Sequence, residues 1–149
     1  MKSIFDAAIR AEIIRRIDSL TTDNKPQWGK MTVSQMVRHG ALCEEYYYGN
    51  VKVGRSLMGR IFGKMAIRSI LKDEQSSIGK NAPTPAPFKV VENITDLEAE
   101  KLKWKSLIER YATFNQDGFT HWFFGRLTKE QLGQFIYKHS DHHLRQFGV

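Results

Sequence analysis

The sequence predicts an all-α protein: a four-helix bundle with a helical crossover between helices 2 and 3. Three observations carry this reading. Four segments space their apolar residues three and four apart, the period of an amphipathic helix. Three of those segments open on the same T-x-x-[EQ] signal, in which a threonine hydroxyl and a carboxamide or carboxylate three residues on satisfy each other's backbone N–H. No segment sustains strand-type alternation, so no sheet is expected.

The first helix is expected over about Ser3 to Leu20, with Phe5, Ile9, Ile13, Ile17 and Leu20 along one face and Arg10, Glu12, Arg15, Arg16 and Asp18 mostly on the others. A polar loop from Thr21 to Gln27 follows, interrupted by Pro26. The second helix opens with Thr32-Val33-Ser34-Gln35 and runs to about Tyr48, where Gly49-Asn50 ends it. The third opens with Thr95-Asp96-Leu97-Glu98 and carries the stripe Leu97, Trp104, Leu107, Ile108, Tyr111 and Phe114, with Gly118 beyond its end. The fourth opens with Thr128-Lys129-Glu130-Gln131 and continues to the C-terminus.

Between helices 2 and 3 the chain makes a long excursion, Gly49 to Ile94. Its first half, Arg55 to Lys72, is amphipathic and basic. Arg60, Lys64 and Arg68 recur every four residues, with Leu57, Ile61, Met65 and Ile70 among them. The plainer account of this segment covers the bundle end while its charges stay in water; contact with an acidic ligand or a membrane surface is the alternative. From Ser76 to Pro87 the chain holds Pro83, Pro85 and Pro87 and is expected to be extended or irregular. A stretch of this size with few core residues does not fold alone, so residues 1–149 read as a single helical-bundle domain.

Composition narrows the function classes. The chain carries 23 Lys and Arg against 16 Asp and Glu, a net charge of +7. These charges are spread along the chain without a block of like signs or a recognition motif, so nucleic acid is not an expected partner. One cysteine, Cys43, rules out an internal disulfide and suits a reducing compartment. The N-terminus is too charged for a signal peptide, and no apolar run of about 18 residues exists. A cytoplasmic protein without a membrane partner is therefore expected.

The fourth helix is the informative one. Its apolar stripe runs Leu132, Phe135, Ile136 and then continues through His139, His143, Gln146 and Phe147. Two histidines four apart stand one turn above each other, about 6 Å along the axis. That spacing lets one helix offer two imidazoles to one metal. His39 stands likewise among inward positions of helix 2, in the stripe Thr32, Met36, His39 and Cys43. Burying neutral imidazoles is costly unless each nitrogen finds a partner, and a metal supplies one. Spacing alone leaves two readings open, hydrogen-bonded core histidines or metal ligands, and adding His39 requires helices 2 and 4 to be neighbours. Three neutral nitrogen ligands would suit zinc, nickel or ferrous iron and leave a coordination position for water or substrate.

At these residues the sequence resembles the DinB-like (DinB/YfiT) metalloenzyme superfamily. The run from Trp28 through Gln35 to His39 is similar to its W…Q…H signature, and His139, His143 and Gln146 to its H-x-x-x-H-x-x-Q signature. His121 to Thr128 resembles the H-P-x-x-G-x-L-T entry to the last helix, with Trp122 in place of the proline. The ending also resembles a bacterial subfamily of unknown function. The resemblance implies a four-helix bundle and a divalent metal, zinc, nickel or iron, on His39, His139 and His143. It also implies that a low-molecular-weight thiol such as bacillithiol or mycothiol serves as cosubstrate in some relatives.

Other residues near these histidines have plainer roles beside the functional ones. Gln146, one turn beyond His143, could hydrogen-bond a ligand's outer nitrogen or bound water. His142 points about 100° away from His143 and belongs at the flank or in solvent. His121 is either a structurally hydrogen-bonded loop histidine, the plainer reading, or a proton shuttle. Cys43 is a small buried residue, with a fourth ligand or reactive thiol as the alternative. Of Tyr46, Tyr47 and Tyr48, one or two pack in the core. Glu44 and Glu45 are most simply a solvated helix face. The expected function is a divalent-metal-binding protein acting as a hydrolase or a thiol-dependent transferase on a small, anionic molecule, since a metal lowers the pKa of a bound water or thiol. The alternative is a non-catalytic, metal-stabilised binding or stress-response module. Exposed apolar residues in the crossover suggest a homodimer.

Overall fold

The computed structural model describes all 149 residues. Five helices form: α1 (Ala7–Asp18), α2 (Val33–Tyr47), α3 (Leu57–Ile70), α4 (Leu97–Glu109) and α5 (Lys129–Gln146). Two short strands, β1 (Gly118–His121) and β2 (Gly125–Thr128), pair antiparallel between α4 and α5, with Gly118 opposite Thr128 and His121 opposite Gly125.

Local chemistry fixes the helix starts. Thr32 begins α2 and Thr128 begins α5 with complete capping boxes: each threonine hydroxyl accepts from the glutamine N–H three residues on, at 3.2 Å. Each glutamine Oε1 in turn accepts from the threonine N–H, at 3.0 and 3.1 Å. Helix α4 departs from the expected box. Asp96, not Thr95, is its cap, accepting from Ala99 N–H at 2.9 Å. A carboxylate at this position also complements the positive end of the helix dipole.

Helix α2 packs most extensively on α4, while α1 lies against α4 and α5. The α2–α4 approach is close because Gly40 faces the Trp104 ring; a Cβ at Gly40 would stand 2.6 Å from Trp104 Cε2. Ile13, Ile17, Met36, Val37, Ile108, Leu132 and Ile136 fill the centre. Lys101 buries its stem and gives its ammonium to the Asp18 and Leu20 carbonyls at the end of α1, both at 3.0 Å. That arrangement satisfies acceptors the helix leaves unpaired.

The expectation of an all-α four-helix bundle is thus corrected: the fold has five helices and a two-stranded sheet. The sheet escaped the sequence pattern because each strand has only four residues, too few to establish a period, and the connecting turn is Trp122-Phe123-Phe124 rather than a polar turn pair. Helix α3, inside the Gly49–Ile94 crossover, packs on the hairpin, and Gly59 and Gly63 bring it against the Phe123 backbone. The hairpin is strapped to α2 as well, since the Tyr46 hydroxyl accepts from Trp122 N–H at 2.6 Å. These contacts leave Leu57 and Ile61 at 77% and 70% exposure on the outer side of α3, together with Met65. The apolar residues expected to cover the bundle end therefore divide: Ile70 is half-buried and the Leu57–Ile61–Met65 row turns outward.

No helix is long and apolar enough to cross a membrane.

Candidate metal centre

The side chains of α2 and α5 bring three imidazoles together. The ring centroids of His39 and His139 are 5.5 Å apart, and those of His39 and His143 and of His139 and His143 both 4.8 Å. Two of the rings are held in defined tautomers by neighbours. His39 Nδ1 lies 2.9 Å from the Phe88 carbonyl oxygen, which can only accept, so Nδ1 carries the proton and Nε2 is left with a lone pair.

The His143 orientation follows from a chain of two bonds. Gln146 Nε2 donates to the Trp28 carbonyl at 2.7 Å, which fixes the carboxamide and turns its Oε1 toward His143 Nδ1 at 2.9 Å. His143 Nδ1 must then be the donor, and Nε2 again keeps its lone pair. His139 has no hydrogen-bonding partner in the protein at either nitrogen; it is half-buried.

Burial lowers the proton affinity of all three. His143 falls to about 3, through burial and the nearby His39 ring. His139 is pushed well below the ordinary imidazole value by burial and the His143 and His39 rings. His39 is lowered by burial, partly offset by its bond to Phe88. The neutral imidazole is the form that binds metal.

Cys43, one turn along α2, joins this group. Its Sγ lies 3.7 Å from His39 Nε2. One ligand atom each from His39, Cys43 and His139 lie within 4.8 Å of one another, a His/Cys/His set that could hold a metal ion. Burial raises the Cys43 thiol well above its ordinary value, so without a cation it stays protonated. Helical periodicity alone undervalued Cys43, which occupies an ordinary core position on the same stripe.

A cavity of about 500 Å³ opens from this cluster. His39, Cys43 and His139 form one part of its wall. Tyr47, Phe62, Phe88, Trp122, Phe124 and Phe135 supply much of the rest. His143 instead backs the cluster, lining with His139 a second cleft of about 140 Å³ beside Trp28 and Gln146.

His121, expected in a loop, ends β1 and is 4% exposed. Its Nδ1 accepts from the Phe123 and Phe124 N–H groups at 3.1 and 3.2 Å, so the proton sits on Nε2. Burial, with the Arg55 charge, lowers its pKa to about 3. His142, expected at the flank or in solvent, does not reach solvent. It is buried, with its ring 5.3 Å from that of Trp28 and 5.1 Å from that of His143. Glu44 is likewise no solvated residue. At 1% exposure it accepts from the Tyr111 hydroxyl and from Trp104 Nε1, the latter at 3.5 Å. Tyr46 and Tyr47 are buried, and Tyr48 is half-buried.

A family model described as a protein of unknown function, DUF1569, matches residues 5–148, and the chain belongs to that family. The resemblance to the DinB/YfiT superfamily is corrected by this match, which is to a different family. The misleading signal has a physical origin: two histidines four apart and a glutamine three further on is what helical geometry requires of any helix offering two imidazoles and an orienting carboxamide. No curated protein and no solved structure matches the chain.

Proposed function

We propose that the protein holds one divalent metal on His39, His139 and His143 and uses it in a metal-dependent reaction, a hydrolysis or a thiol transfer with a low-molecular-weight thiol. The observation that carries the reading is the pair of orienting hydrogen bonds. Phe88 and Gln146 each hold a histidine by Nδ1 and leave Nε2 unprotonated, as outer partners do in metal sites. Buried imidazoles with free lone pairs, in rings about 5 Å apart, are what three ligands around one ion need. Zinc, nickel and ferrous iron all suit such donors. A metal there would lower the pKa of a bound water or thiol and supply a nucleophile at neutral pH.

The chain's own groups do the rest. The cavity gives a substrate access to the cluster. His121 Nε2–H is a fixed donor on the cavity wall, suited to an acceptor oxygen rather than to proton shuttling, because burial keeps the ring neutral. Gln146 acts through His143 and is a positioning residue.

A second reading has one observation in its favour. His39, Cys43 and His139 are the set whose ligand atoms stand together, and with His143 added they would close the coordination sphere, as structural sites do. The module would then be stabilised by metal and non-catalytic. Cobalt substitution separates the two, since a bound thiolate gives a sulfur-to-cobalt charge-transfer band and an open site does not.

The test of the ligand set is a metal titration of neighbours on one helix. His143→Ala is expected to weaken binding more than tenfold by removing a ligand. His142→Ala, whose ring packs on Trp28, is expected to change affinity little once its effect on stability is measured separately. Equal losses from the two variants would overturn the assignment.

A further inference from the structure

The large cavity has a wall chemistry that selects its occupant. Its lining contains no Asp, Glu, Lys or Arg. Met58, Phe62, Ala66 and Ile70 of α3 form one side, and Phe88, Phe124 and Phe135 stand among the residues opposite. About 500 Å³ is within the usual range for small-molecule sites, about 300–1000 Å³. Among the polar groups on this wall, which include Tyr47, Thr84 and the cluster itself, His121 is the one whose unpartnered donor is fixed by its other hydrogen bonds. His121 is buried, its Nδ1 is committed to two backbone N–H groups, and its Nε2–H has no partner in the protein. No buried side-chain polar atom of the protein lacks a partner, so this N–H keeps access to solvent and is open to a ligand acceptor. His39, Cys43 and His139 lie on the same cavity.

We infer that this cavity binds a small molecule with an apolar acyl or aryl body and one acceptor head, a carboxylate or its ester. The body lies among the α3 and aromatic side chains, and a head oxygen accepts from His121 Nε2–H beside the histidine cluster. This narrows the substrate class of the proposed metal site. The part that concerns a metal rests on that proposal, whereas the apolar wall and His121 do not. A hydrophilic anion, the substrate expected from the basic composition, finds no cation on this wall.

Calorimetric titration of the full chain with n-alkanoates from butanoate to decanoate, in chelator and then in zinc, tests the inference. Each added methylene is expected to tighten binding about fourfold until the cavity is full. Octanoate is expected to bind at least tenfold more tightly than octylammonium, which has one more apolar carbon and no acceptor. His121→Phe is expected to weaken octanoate about 10- to 100-fold, the worth of one hydrogen bond to a charged partner, and to leave octylammonium unchanged. Because His121 also holds the hairpin turn, Ala66→Trp serves as a second variant: it fills the cavity from a half-buried wall position and should weaken both ligands more than tenfold. Zinc should tighten octanoate further. If zinc has no effect while chain length and His121 still govern affinity, the metal proposal fails and the cavity assignment stands. Affinity independent of chain length, or equal binding of octanoate and octylammonium, overturns the cavity assignment whatever zinc does.

Discussion

Gln146 determines which nitrogen His143 turns inward, because its own Nε2 is spent on the Trp28 carbonyl. Gln146→Leu should therefore weaken metal binding about 10- to 100-fold with all proposed ligands intact, measured by competition with a chromogenic chelator. The buried ionisable groups also set a pH dependence for the metal-free protein. All five histidines have folded pKa values below the ordinary imidazole value of 6.5. Between about 3 and 6.5 the unfolded chain binds more protons than the folded one, so stability is lost as pH falls through that range. Glu44 acts in the opposite sense. Burial raises it to about 7, although Tyr111 and Trp104 favour its ionised form, so the folded state binds the extra proton between 4.5 and 7 and loses stability as pH rises there. Five groups outweigh one below 6.5. Urea midpoints in chelator should climb from pH 4 and level off toward pH 7.5, and Glu44→Gln should steepen the climb between pH 4.5 and 7. Periodicity made the inward positions of His39, His139 and His143 legible. It could not show what lies opposite a position. For that reason the burial of Glu44 under Tyr111 and of His142 against Trp28 is not legible in the sequence.

Elements meet here through small residues and caps. Gly40 admits the Trp104 ring to the surface of α2, and a methyl group there has nowhere to go. Gly40→Ala should destabilise the protein by about 1–3 kcal/mol, the usual cost of overpacking, read from urea unfolding. A neutral result would mean that α2 and α4 are not packed this closely. The two capping boxes were legible because the motif specifies its own hydrogen bonds, at Thr32 and Thr128. The third helix start was off by one residue because Thr95 and Asp96 are both good caps, and sequence does not decide between adjacent candidates. The hairpin was illegible for a different reason. Its strands are short, and Tyr46 and α3 hold it from outside, so little of its stability is encoded in its own pattern.

At the scale of the whole molecule, the reading of residues 1–149 as one domain predicts a single cooperative unfolding transition, with fluorescence and circular dichroism superimposing. The outward row Leu57, Ile61 and Met65 is the surface through which a homodimer would close, and sedimentation as a monomer at micromolar concentration would count against that assembly. Metal should couple to the entire fold, since the proposed ligands come from helices distant in sequence and the unfolded chain has no such site. At a free concentration of about 100 times Kd the gain is about 2.7 kcal/mol, which for a chain of this size raises Tm by roughly 5–10 °C, reversed by chelator. The position of the ion itself is the most direct measurement. Anomalous diffraction at the zinc edge, from crystals of the zinc-loaded protein, should give one peak about 2.0–2.1 Å from a ring nitrogen of each of His39, His139 and His143, with Nδ1 of His39 and His143 still on Phe88 and Gln146. A peak held by His39, Cys43 and His139 with His143 outside bonding distance, or no peak at the cluster, would contradict the proposed centre.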